Sequence, residues 1–135
     1  MNRVFLGGTT NSNWRDELIP MLKVDYFNPI VPSWTYAAQV EEERQKKICR
    51  YHLYVITPKL SGLFSIAELI DSSNKIPTNT IFCFLESDEG SEFTEHQMHS
   101  LAAVSRLAVK NGARYLPDLS TVAKWLNTKS MGAYT

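Results

Sequence analysis

The tetrapeptide Ser65-Ile66-Ala67-Glu68 holds the residues best placed to do chemistry, and it supports two readings. As a capping box, Ser65 accepts from the backbone amide of Glu68 while the Glu68 carboxylate returns to the amide of Ser65. As a reactive group, a glutamate one turn inside a helix that opens at a pocket mouth can attack an anomeric carbon as a carboxylate nucleophile. The run Glu41-Glu42-Glu43 with Arg44, Lys46 and Lys47 reads first as a solvated helix face laced by i,i+3 and i,i+4 pairs. One of its acids is expected to turn towards the same mouth. Gly7-Gly8-Thr9-Thr10 either makes a tight strand-to-helix turn or lets the backbone approach a phosphate, a sugar hydroxyl or a base edge. It matches neither G-x-G-x-x-G nor G-x-x-x-x-G-K-[ST], so dinucleotide and phosphate-loop chemistry lose their main support. Trp14, Tyr26, Trp34 and Tyr36 fall near the first two strand ends, where they can stack on a planar base or serve as core and lid.

Other polar candidates read as structure. His96 and His99 share a helical face with Glu92 and Glu95, but without a convincing fourth ligand they form an exposed stripe rather than a metal site. His52 lies inside an apolar run and is expected to be a satisfied buried or edge histidine. Cys49 and Cys83 lack any Cys-x-x-Cys or Cys/His spacing, so reduced, mostly buried thiols are expected.

These residues must be positioned by alternating β-type runs and amphipathic stretches. Arg3 to Leu6 is a strand closed by the glycine turn, and Asn13 is expected to cap a helix carrying Trp14, Leu18, Met21 and Leu22. A strand over Val24 to Asn28 leads through Pro29 and Pro32 to a helix from about Tyr36 to Arg50. Tyr51 to Thr57 reads as a central parallel strand covered on both faces, followed by a helix from about Ser65 to Ser72 and a strand over Thr80 to Leu85. Glu86 to Glu92 reads as a surface loop, Phe93 to Lys110 as a long helix stopped at Asn111-Gly112, Arg114 to Leu116 as a fifth strand, and Asp118 as the cap of a last helix through Trp125. The pattern predicts one domain over residues 1–135, a flavodoxin-like doubly wound five-stranded parallel sheet with helices on both faces. Ligands of such sheets bind at the carboxyl ends of the strands, which selects residues 7–13, 28–36, 57–68 and 86–92.

Composition narrows the classes further. The chain has 135 residues, 44% of them hydrophobic, enough for a real core. Its 14 Lys and Arg balance 14 Asp and Glu, so the electrostatic footprint of a nucleic-acid binder is missing. No apolar run approaches the roughly 20 residues of a membrane span, and the start is too short for a signal peptide; a cytoplasmic protein without membrane contact is expected.

Val4-Phe5-Leu6-Gly7-Gly8-Thr9, Asn13-Trp14-Arg15, Tyr26-Phe27-Asn28-Pro29 and Tyr54-Val55-Ile56-Thr57-Pro58 leading into Gly62-Leu63-Phe64-Ser65-Ile66-Ala67-Glu68 resemble the nucleoside 2-deoxyribosyltransferase family, closest to its short, divergent bacterial and phage branch. The resemblance runs from about residue 3 to about residue 116. It implies that Glu68 is the nucleophile, attacking C1′ of a 2-deoxyribosyl group and holding a covalent sugar ester that a second base or water resolves, with retention and with no metal or organic cofactor. It implies a substrate pocket shaped by Gly7, Gly8 and Thr9 and an acid from the second helix, Glu42 or Glu43; Asn28 and Trp34, beyond the second strand, are further substrate-binding candidates. The partners it implies are a nucleoside or nucleotide, a free nucleobase, and further copies of the chain in a homo-oligomer whose tail, with Tyr134, completes a neighbour's site. One family feature is absent: Lys59 to Ala67 contains no Asp or Glu. Ser61 and Ser65 occupy that span, and related deoxynucleotide N-glycosidases place serines near a 5′-phosphate. A hydrolase of deoxynucleoside 5′-monophosphates therefore stands beside the transferase, and a non-catalytic nucleotide-binding module, with Glu68 only a cap, stands beside both.

Overall fold

The computed structural model describes residues 2–132, with side chains as far as residue 129. Strands β1 (Arg3–Gly8), β2 (Asp25–Phe27), β3 (Tyr51–Ile56), β4 (Thr80–Phe84) and β7 (Arg114–Tyr115) form one parallel sheet in the order β2-β1-β3-β4-β7. This is the flavodoxin-like doubly wound order, in which the first strand is flanked by the second and third. β3 is buried along its whole length, which is why it reads as an unbroken apolar run rather than an alternating one.

Alternation along the central strands feeds two cores. Val4, Leu6, Leu53, Val55, Ile81 and Cys83 face helices α1 (Trp14–Leu18) and α5 (Leu119–Gly132), meeting Trp14, Leu18, Val122 and Leu126. Phe5, Tyr54 and Phe82 face the other way, towards α3 (Phe64–Lys75) and α4 (Glu95–Asn111), where Leu69 and Ala108 cover them. Helix α2 (Tyr36–Ile48) contributes little apolar surface; Gln45 is its buried residue. Cys49 and Cys83 are both buried.

Local chemistry explains the element ends. Thr35 Oγ1 accepts from the Ala38 amide at 3.0 Å to start α2, and Thr94 with Gln97 completes a capping box on α4. Gly112, at φ 113°, provides the left-handed stop expected after Asn111. Asp118 Oδ1 accepts from the Thr121 amide at 2.8 Å, and α5 continues past Trp125 to Gly132.

Three expectations are corrected. The capping box at Ser65 does not form, because α3 starts one residue earlier, at Phe64, with Leu63 in the cap position. Asn13 makes no cap bond; Ser12 Oγ accepts from the Trp14 amide instead, and the Asn13 amide donates to Glu89. The segment 86–92 is not a plain loop but carries an antiparallel hairpin, β5 (Ser87–Asp88) and β6 (Ser91–Glu92). Its two-residue turn, Glu89-Gly90, has φ 48° and 85°, the pair of positive values that matches the twist of a hairpin. Among the described residues no helix is long and apolar enough to cross a membrane.

Candidate active site

The floor of the site is made by strand ends that approach unusually closely. A Cβ on Gly8 would stand 2.0 Å from the Val55 carbonyl oxygen, and one on Gly7 would stand 2.7 Å from the Tyr54 ring. Gly8 also sits at φ 121°, so both its shape and its backbone demand glycine. Thr9 then locks the turn: its amide donates to the Val55 carbonyl at 2.9 Å, and its Oγ1 accepts from the Thr57 amide at 2.9 Å. Beneath the turn lies Arg15, 4% exposed, donating to the carbonyls of Leu6 at 2.9 Å and Thr9 at 2.7 Å. Burial pulls its pKa down to about 10, against the opposing pull of Glu42 and Glu68. The turn is thus pinned from below by a charged fork and from the side by a threonine.

Above this floor opens a cavity of about 300 Å³. Phe5, Pro29, Ile30, Val31 and Trp34 make its apolar wall; Gly7, Gly8, Thr10, Asn11 and Arg15 its polar side; Glu42 and Glu68 its acids. The two carboxylates have different surroundings. Lys46 Nζ pairs with Glu68 Oε2, whereas the nearest Glu42 oxygen stands 3.7 Å from the same ammonium. Burial pushes the Glu42 carboxyl up, Lys46 opposes the rise and the Glu68 charge adds to it. An acid in contact with an ammonium beside one whose carboxyl burial pushes up is an arrangement that can divide nucleophile from proton donor. The Glu68 carboxylate is engaged by Lys46, not by the amide of Ser65.

Behind Glu68, between α2 and α3, lies a second cavity of about 580 Å³. Glu68 lines both. Its inner wall is a hydrogen-bonded chain. His52 Nε2 is 2.8 Å from the Lys46 carbonyl, which can only accept, so Nε2 carries the ring proton. His52 Nδ1 then accepts from the Ser72 hydroxyl at 2.9 Å, and Ser72 Oγ accepts from the Tyr54 hydroxyl at 2.7 Å. Burial lowers the His52 pKa and raises that of Tyr54, keeping both neutral.

Of the residues named by the sequence, Gly7, Gly8, Trp34 and Glu68 meet on the first cavity. The acid of α2 that joins them is Glu42; Glu43 projects to the second cavity and is exposed, since one residue turns a helix by roughly 100°. Thr9, Asn28, Ser61 and Ser65 line neither cavity. Thr9 is spent on the strand closure, Asn28 Oδ1 accepts from the Ile30 amide at 3.1 Å, Ser65 is buried in the first turn of α3, and Ser61 is exposed. Tyr134 lies outside the described residues. His52 is the satisfied buried histidine expected. Among the described residues no three His, Cys, Asp or Glu side chains converge as metal ligands.

Arg15 lies at the pocket, where the sequence places it, whereas Lys46 is a candidate-site residue that pattern reading missed. A signal for Lys46 existed: α2 has no apolar stripe from Glu41 to Lys47, and a helix laid on a covered sheet without such a stripe must turn charged groups inward. The hairpin brings two further acids against the loops that follow β1 and β3. Glu89 bridges Asn13 Nδ2 at 2.6 Å and Lys59 Nζ at 2.9 Å, tying the start of α1 to the loop after β3. Burial pushes Asp88 up, but the hydroxyls of Ser12 and Thr57 and the Lys59 ammonium together hold it below the usual carboxylate range.

The fold and site define a flavodoxin-like α/β protein with two unlike carboxylates in one cavity at the carboxyl ends of its strands. No protein-family model, no curated protein and no solved structure matches the chain.

Proposed function

We propose that the protein cleaves the N-glycosidic bond of 2-deoxyribonucleosides and transfers the sugar to another base, as a nucleoside 2-deoxyribosyltransferase-like enzyme. The observation that carries this reading is that Glu68, in contact with the Lys46 ammonium, and Glu42, whose carboxyl burial pushes up, share one cavity walled by Trp34. Glu68 forms a bond to C1′ with a carboxylate lone pair, and the electrons of the C1′–N bond leave with the base. Glu42 gives the departing base its proton, which offsets the charge that would otherwise build on the leaving nitrogen. The product is a deoxyribosyl ester of Glu68 and a free, neutral base. An incoming base then attacks C1′, returns its proton to Glu42 and expels the Glu68 carboxylate, so two inversions retain configuration. Trp34, Phe5 and the Pro29-Ile30-Val31 wall offer a planar base an apolar slot, while Thr10 and Asn11 offer hydrogen bonds.

Chromatography of wild type and Glu68→Ala with the four 2-deoxynucleosides and their 5′-monophosphates, with and without added base, tests this. A new nucleoside formed only with acceptor base and only by wild type supports the transferase. Base released without acceptor, above all from monophosphates, replaces it with the hydrolase. No turnover, with thermal stabilisation by nucleotides, leaves a binding module.

A further inference from the structure

Lysines at helix ends ordinarily carry their ammonium into water. Lys46, in the last turn of α2, does not: its side chain is 25% exposed. Its ammonium sits between Glu68 Oε2 and Glu42, over the rings of Phe5 at 5.4 Å and Phe64 at 5.3 Å. Its backbone is held as well, by His52 Nε2 on the Lys46 carbonyl. The same imidazole is bound on its other side by Ser72, one helical turn beyond Glu68 on α3. The links therefore close a ring: Lys46 backbone to His52, His52 to Ser72, α3 back to Glu68, and Glu68 to the Lys46 ammonium.

We propose that Lys46 is the positioning residue of Glu68, holding Oε2 so that Oε1 is the oxygen that attacks C1′; this rests on the reading of Glu68 as nucleophile. Oε2 is shielded from solvent and is the Glu68 oxygen nearest the ammonium. A carboxylate free to rotate presents either oxygen at any angle, and fixing one oxygen removes that freedom before substrate arrives. When Oε1 bonds to C1′, the ester carbonyl is Oε2, still facing the ammonium. When the second nucleophile breaks the Oε1–C1′ bond, the electron pair returns to the carboxylate, and Lys46 stabilises the charge as it reappears.

The test compares Lys46→Met, and Lys46→Ala with and without added ethylammonium, in steady-state turnover of a 2-deoxynucleoside. Lys46→Met is expected to lose about 100-fold in kcat with KM little changed. Ethylammonium should restore part of the loss in Lys46→Ala, which a role limited to folding would not allow. Undiminished kcat in Lys46→Met, or a loss that ethylammonium leaves untouched, overturns the proposal. A second readout is independent of turnover: the ¹⁵N ammonium signal of Lys46 should move in Glu68→Gln without any substrate. An unmoved signal overturns the clamp whatever the activity. A moved signal in a wild type that turns over no deoxynucleoside instead overturns the assigned function and leaves the clamp standing.

Discussion

The two faces of the sheet are built on different terms. On the α1/α5 face the strands meet a dry core, where Leu18, Leu53, Val55, Val122 and Leu126 pack together and Trp14 spends its one N–H on the Thr9 carbonyl at 2.9 Å. On the opposite face the same strands present His52 and Tyr54, which bond Ser72 and the Lys46 carbonyl and share a cavity with Glu68, and two cavities open beside α2. One face supplies stability through apolar burial; the other spends its strand positions on hydrogen bonds and charges that must be satisfied one by one. The contrast teaches where function is housed: a rigid scaffold on one side permits a polar, incompletely filled layer on the other.

Substitutions on the two faces should separate accordingly. The largest effect is expected at the polar face, on rate. Glu42→Gln should lower kcat/KM by about 10²- to 10⁴-fold, and turnover by wild type should fall as pH rises through the raised Glu42 pKa, since the acid must be protonated. A pH-rate profile checks this, and the alkaline limb should vanish in the variant. Next comes the dry face, on stability. Leu126→Ala should cost about 2–5 kcal/mol in urea denaturation while the folded fraction keeps its turnover. Gly8→Ala lies where the faces meet, forcing a Cβ onto the Val55 carbonyl, and should cost about 3 kcal/mol and distort the cavity floor. The smallest effect is a pH dependence of stability. His52 has its pKa lowered by burial, so the unfolded chain binds the proton more readily, and stability should fall as pH drops through about 6.5. In His52→Gln that component of the pH-stability curve should disappear, leaving the carboxylate-driven loss at lower pH.

The fold was legible because the central strands are covered on both faces and announce themselves as continuous apolar runs separated by amphipathic stretches. Turn chemistry was legible where one residue decides it, as at Gly8 and Gly112. The hairpin at 87–92 was not, because a two-residue turn between two-residue strands leaves no hydrophobic alternation to read. In the site, Glu68 and Trp34 stood out by type and place, whereas choosing between Glu42 and Glu43 needed the rotation of α2, which a run of consecutive charges does not record. Lys46 was hidden in that same run. Its role depends on His52, Ser72 and Glu68, residues that only the folded sheet brings around it.

The most direct test of the central claim is to mix the protein with a 2-deoxynucleoside, quench in acid within the first turnover and map the mass of its peptides. The account predicts a deoxyribosyl adduct on the peptide carrying Glu68, absent in Glu68→Gln, which should also lose at least about 10⁴-fold in turnover. Turnover by wild type without an adduct at Glu68, together with undiminished turnover by Glu68→Gln, would contradict it.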